Sequence, residues 1–118
     1  MALQRFHVGT RYCEYVIHNQ TVYLSGQVPD DPALDIAGQT TQVLDAIDRW
    51  LAEAGSDRRR LISATIYLAD LADYEGMNAV WDAWLPAGCA PARATVQARL
   101  ANPGWRLEIQ AIAALNPV

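Results

Sequence analysis

Two runs of strict alternation, Ala92–Leu100 and Trp105–Ala114, constrain the fold of this 118-residue chain more than any other stretch. Pro91 fixes an extended backbone and biases Ala90 away from helix, so a strand is predicted to begin near Ala92. Along it Ala94, Val96, Ala98 and Leu100 share one face, and Arg93, Thr95, Gln97 and Arg99 share the other. Asn102-Pro103-Gly104-Trp105 has Pro and Gly at the central positions of a type II turn, which predicts an antiparallel return. The returning run puts Leu107, Ile109, Ala111 and Ala113 on one face and Arg106, Glu108, Gln110 and Ile112 on the other. In such a hairpin the polar faces coincide and Glu108 falls opposite Arg99. Glu108 is then either half of a cross-strand ion pair or a carboxylate available for chemistry.

The rest of the chain alternates between the two regular periods. Leu3–Val8, Tyr12–His18 and Thr21–Ser25 read as strands separated by turns at Gly9-Thr10 and Asn19-Gln20. Gly26–Leu34, with two prolines, reads as loop. Asp35 is a candidate N-cap for a helix carrying Val43, Leu44, Ile47, Trp50, Leu51 and Ala54 at helical spacing up to Gly55. Arg60–Ala69 has strand period, with Ile62, Ala64, Ile66 and Leu68 on one side. A second helix, capped by Asp70 or Asp73, is predicted to bury Leu71, Tyr74, Met77, Trp81, Trp84 and Leu85 before Pro86 and Gly88. The resulting order, three strands, helix, strand, helix, two strands, gives one domain over residues 1–118. Two helices cover only one face of a sheet that wide.

Composition narrows the function. Apolar residues are 52% of the chain and charged residues 19%, so an isolated copy leaves apolar surface uncovered and burial between copies is expected. A net charge of -4 argues against nucleic acid as partner, since phosphate binding needs a concentrated positive face. Arg58-Arg59-Arg60, the only basic run, reads as a solvated cap beyond a helix C-terminus. All nine basic residues are arginine, which excludes a lysine Schiff base to substrate or pyridoxal phosphate. Cys13 and Cys89 lack metal or redox spacing, and His7 and His18 share no ligand spacing with them. No glycine-rich phosphate loop or Gly-x-Ser-x-Gly motif occurs. Without an apolar signal core or a membrane-length run, a soluble cytoplasmic protein with free thiols is expected.

Several segments resemble one family. Pro91-Ala92-Arg93, Val96 and Leu107-Glu108-Ile109-Gln110-Ala111-Ile112-Ala113 are similar to the signature of the RidA (YjgF-like) reactive-intermediate deaminases. Ser25-Gly26-Gln27, Tyr12 and Asn78 match that family's motifs in the same order. The resemblance spans nearly the whole chain. It implies a chorismate-mutase-like α+β domain, a mixed sheet with two helices on one face, assembled as a homotrimer with pockets between subunits. It also implies hydrolysis of small 2-imino acids to 2-keto acids and ammonia, without cofactor or metal. The chain departs from the family pattern at Ala94, Gln97, Gln110, Leu100-Ala101 and Arg11, positions that bear on pocket shape more than on fold.

The resemblance assigns roles to residues that have plainer readings. Arg93 would clamp a substrate carboxylate through two parallel donors, or else form an interface ion pair. Glu108 would orient a water and move its proton. Tyr12 would close the pocket or simply pack; Ser25 and Gly26 would offer backbone groups to substrate or merely turn the chain. Asn78 caps or lines the pocket, and Thr95 is expected beside the substrate. Two other functions fit the same residues. One is hydrolysis of another small amide or enamine carboxylate; the other is a non-catalytic trimeric module that binds keto or amino acids.

Overall fold

The computed structural model describes residues 2–118 and follows the predicted element order. The strands are β1 Gln4–Val8, β2 Cys13–His18, β3 Thr21–Leu24, β4 Leu61–Leu68, β5 Ala92–Gln97 and β6 Leu107–Ala114. The helices are α1 Ile36–Ala54 and α2 Tyr74–Trp84. Local chemistry sets their ends. The Asp35 carboxylate accepts from the Gly38 amide, and Gly55 closes α1 in the left-handed conformation at φ 91°. Asn19 and Gln20, with φ of 51° and 63°, turn β2 tightly into β3.

One mixed sheet runs in the order β1-β2-β3-β6-β4-β5. All neighbours are antiparallel except β4 and β5, which are parallel. The expected hairpin between β5 and β6 therefore does not form: β4 lies between them. A strand–helix–strand unit, β4-α2-β5, brings β5 alongside β4 in the same direction, as a helical crossover does. The connection from β5 then passes over β4 before β6 begins. The Asn102–Trp105 turn does close, with the Trp105 amide on the Asn102 carbonyl at 3.1 Å. It is not type II, because Gly104 is not among the positive-φ glycines. Glycine is needed there for room, since a Cβ would lie 2.7 Å from Pro32 Cβ.

Register then assigns the faces. Ala111, Ala64 and Arg93 form one row across β6, β4 and β5, with Ile109, Ile66 and Thr95 the next and Leu107, Leu68 and Gln97 the third. These rows face α1 and α2, where Val43, Leu44, Ile47, Leu51, Met77 and Trp81 complete the core. The opposite face carries Glu108, Tyr67 and Val96 in one row and Gln110, Thr65 and Ala94 in another. The shared polar face expected for Arg93, Thr95, Gln97, Glu108 and Gln110 is thus split, the first three beneath the helices and the last two on the uncovered side. Glu108 has Tyr67, not Arg99, as its cross-strand neighbour.

Three smaller expectations also change. Arg58 is not a solvated cap: it pairs with Asp48, donates to the Trp84 carbonyl at 2.8 Å and lies 4.8 Å over the Trp84 ring. Leu71 and Tyr74 are exposed, because a 3-10 turn at Leu71–Asp73 precedes α2 and turns them from the core. A register shift between Leu61 and Ser63 turns Ile62 outward, 48% exposed, while Ile66 is fully buried. Ile66→Ala is therefore expected to cost about 2–5 kcal/mol in denaturant unfolding, and Ile62→Ala under about 0.5 kcal/mol. Equal costs would contradict this assignment of faces.

Candidate active site

The candidate residues gather in two places. At the edge strand β5, Arg93 leans toward α2 and meets three residues one helical face apart, Tyr74, Asn78 and Trp81. Its Nη1 donates to Asn78 Oδ1 at 2.8 Å, and its Nη2 reaches the Tyr74 hydroxyl at 3.3 Å. The guanidinium carbon stands 5.3 Å from the Trp81 ring centroid and 5.9 Å from that of Tyr74, within cation–π range. None of these partners is anionic. Two of the five guanidinium N–H donors are used, which leaves the others free to fork onto a carboxylate. Thr95, one row along on the same face, has a buried hydroxyl with no hydrogen-bond partner.

The second place is a cleft of about 370 Å3 on the uncovered side, lined by Gly26, Tyr67, Arg99, Leu100, Glu108 and Gln110. Here Glu108 lies against the Gly26 backbone: a Cβ on Gly26 would fall 1.9 Å from Glu108 Oε2. Gly26 is required for this close approach. Ser25, just beyond β3, donates through Oγ to Glu14 Oε1 at 3.3 Å, and its amide donates to the Glu14 carbonyl at 2.9 Å. Gln27 pairs with β6 through two backbone bonds to Ile109, 2.8 and 3.0 Å, which holds the loop beside Glu108. A larger cleft, about 790 Å3, lies on the far side of Arg99 and includes Gln97, Asn102 and Trp105. It contains no carboxylate, so the Glu108 cleft has the chemistry despite its smaller size.

Within one chain the two places stay apart. Arg93 and Glu108 are two strand spacings and three residues distant, roughly 14 Å between Cα atoms, with side chains on opposite faces. Tyr12, 67% exposed, precedes β2 and lies near the other edge of the sheet, about four strand spacings or roughly 19 Å from β5. The structure thus unites Arg93 with Asn78, and Glu108 with Gly26; Ser25, the residue before Gly26, turns its hydroxyl to Glu14 instead. It does not bring Tyr12 to either group. Sequence reading left out Tyr74 and Trp81 as the seat of Arg93, although their spacing with Asn78 on one helical face marks them. It also left out Tyr67, Arg99 and Gln110 as walls of the Glu108 cleft.

A family model described as Endoribonuclease L-PSP matches residues 2–115. The chain belongs to the RidA (YjgF-like) family. A RutC family protein of Haemophilus ducreyi is 46% identical over 114 residues, 97% of each chain. A crystal structure of a YjgF protein family member from Neisseria meningitidis shares 49% identity at a TM-score of 0.97, covering 100% of this chain and 98% of the other. The 2-iminobutanoate/2-iminopropanoate deaminase of Bos taurus is 34% identical, over 91% of this chain and 82% of its own.

Gly26→Ala tests the contact on which the cleft depends. The new Cβ and the Glu108 carboxylate cannot coexist, so a crystal structure of the variant is expected to show Glu108 in another rotamer with the sheet register kept. An unmoved carboxylate would mean that the backbone yields instead.

Proposed function

We propose that this protein hydrolyses small 2-imino acids to 2-keto acids and ammonia, in pockets completed between copies of the chain in a homotrimer. The observation that carries the reading is the pair of half-sites. An arginine with neutral partners and unused donors stands on the helix side of β5, and a carboxylate seated on a glycine opens on the other face. Neither half performs the reaction alone. A neighbouring copy offering its Glu108 cleft to the β5 edge of the first would complete the site. The uncovered face supports such contact, since Tyr23 and Val96 are 41% and 43% exposed there. The deaminase named in Bos taurus supports the reaction class.

The chemistry follows from the groups. Arg93 holds the substrate carboxylate with two charge-assisted bonds and so fixes the adjacent imine carbon. Glu108 orients a water. The water oxygen bonds to the carbon of the protonated imine as Glu108 takes one water proton. That proton then goes to the carbinolamine nitrogen, and the carbon–nitrogen bond breaks as the hydroxyl oxygen forms the keto C=O and gives its proton to Glu108, which passes it to solvent. Ammonia departs and the keto acid remains. No residue becomes covalently attached, and an iminium carbon is electrophilic enough for positioning to supply much of the acceleration.

The family model's name raises RNA cleavage as another activity. The charges argue against it: the net charge is -4, and Arg58, Arg59 and Arg106 are paired with Asp48, Asp57 and Asp73.

A threonine dehydratase that uses pyridoxal phosphate releases the enamine precursor of 2-iminobutanoate; adding this protein is expected to speed appearance of 2-oxobutanoate. An unchanged rate would sink the reading. Arg93→Ala should lower activity about ten- to thousand-fold, because truncating one partner of a desolvated charge pair loses roughly 2–5 kcal/mol. Arg93→Lys should not restore it, since an ammonium cannot make the fork. Both variants should keep the trimer mass by light scattering, whereas dissociation with normal turnover would make Arg93 an interface residue. Glu108→Gln is expected to retain binding of 2-oxobutanoate in calorimetry and to slow turnover; an unchanged rate would free Glu108 from the mechanism.

A further inference from the structure

We propose that Trp50 and Gln27 are positioning residues: one indole-to-amide hydrogen bond from α1 fixes the Ser25–Gly26 ledge that sets where the Glu108 carboxylate lies. The proposal rests on the reading of Glu108 as the group that handles water and extends the site inward by two residues.

Gln27 is buried, and its side chain is fully committed. Oε1 accepts from Trp50 Nε1 at 3.0 Å, while Nε2 donates to the Ser25 carbonyl at 3.1 Å and to Ser25 Oγ at 3.3 Å. An indole N–H can only donate, so it dictates which end of the amide faces the helix. With the amide reversed, its oxygen would face the Ser25 carbonyl, two acceptors in contact, and its NH2 would face the indole N–H, two donors in contact. The Gln27 backbone meanwhile bonds twice to Ile109, the residue after Glu108. One side chain thus couples the loop under the carboxylate to the strand that bears it. Because Glu108 Oε2 already sits where a Gly26 Cβ would be, the ledge cannot shift without moving the carboxylate.

Trp50 is itself held in a built seat. The His7 ring lies 4.8 Å from the Trp50 ring centroid, tilted 51°, and the Arg49 guanidinium carbon 4.9 Å from it. His7 reaches this place through a left-handed backbone at φ 57°, a strained choice for a non-glycine residue inside β1. Glu53 anchors it: Oε2 is 2.5 Å from His7 Nε2 and accepts from the Tyr15 hydroxyl at 2.7 Å. Burial first, then Glu53, push the Tyr15 hydroxyl up to about 12, so it remains a donor. Strain at His7 is thereby spent on holding an indole that points its only donor at Gln27.

The test uses the full chain, 2-iminobutanoate generated in situ, and amide hydrogen exchange. Trp50→Phe keeps an aromatic ring, though a smaller one, and removes the donor. It is expected to lower kcat about three- to thirty-fold with KM within about twofold, the range for losing one buried neutral hydrogen bond. Exchange at the Ser25 and Gln27 amides should quicken about tenfold, while the β4–β6 amides around Ile66 keep their protection. A merely structural role would loosen the sheet broadly and lower the melting temperature without this pattern. Gln27→Met should slow turnover further, and combining it with Trp50→Phe should add nothing, because both act through the same bond. Wild-type kcat together with wild-type Gln27 exchange in Trp50→Phe, or additive losses in the double variant, would overturn the proposal. If the wild-type protein hydrolyses no imine, the deaminase reading fails separately. Faster Gln27 exchange in Trp50→Phe would then still support the ledge, and unchanged exchange would overturn it.

Discussion

The register in which β5 and β6 flank β4 decides which side of the sheet Arg93 and Glu108 occupy. Because Ala64 aligns with Arg93 and Tyr67 with Val96, the guanidinium is committed to the helix side, and Glu108, beside Tyr67, to the other. Sliding β5 by one residue would turn Arg93 to the other face and put Ala94 and Val96 beneath the helices. The core resists such a slip. Its rows continue through Ile66, Ile109, Leu68 and Leu107, all fully buried. The geometry of the candidate site is therefore fixed by apolar packing three strands wide, not by the polar groups themselves.

An edge position explains how a charge can stand in a row that elsewhere is core. Toward β6 the same row holds Ala64 and Ala111, both buried. At β5 the helix covering thins to the faces of Trp81 and Tyr74 and the amide of Asn78, which solvate a guanidinium without neutralising it. The uncovered face follows a different logic. Its mixture of Tyr23, Val96, Glu108 and Gln110 is too apolar for open water and too polar for a sealed core, a balance suited to contact between copies with solvent-filled clefts.

Most elements were legible because local signals and the global fold agreed. The Asp35 cap, the Gly55 stop, the alternation of β4 from Ala64 to Leu68 and the turn at Asn19-Gln20 lie where the sequence puts them. Pairing was not legible in the same way. Pro103-Gly104 is a local turn signal, and it correctly marks a turn, but a turn does not make its flanking strands neighbours. The pattern strand, helix, strand over residues 61–97 carried the competing message of a parallel unit, and long-range packing obeys that one. The site was half legible for the same reason: residues close in sequence or on one helical face could be grouped, as Arg93 could not be with Tyr74 and Trp81 until β5 was placed. The bond between Trp50 and Gln27 joins residues 23 apart in sequence and gives no periodic trace.

The arginine-only composition also takes on meaning once the seats are seen. Arg58 forks onto Asp48 and stacks on Trp84, Arg59 forks onto Asp57, and Arg106 reaches Asp73. The two forks, and the stack, are contacts that a planar guanidinium makes and an ammonium does not. In these three the positive charge is already answered by a carboxylate. Asp57 records this: the Arg59 guanidinium, ahead of backbone and other contacts, holds its carboxyl at about 2. Arg93 uses the same planar geometry with the opposite electrostatic outcome. Its acceptor is an amide oxygen, its neighbours are aromatic faces, and no carboxylate lies within ion-pair distance among the described residues. An immobilised cation without a counterion is a poor stabilising device but a ready receptor for an anionic ligand, since its conformational cost is met before binding. That difference in partners, more than charge or exposure, separates Arg93 from the structural arginines around it.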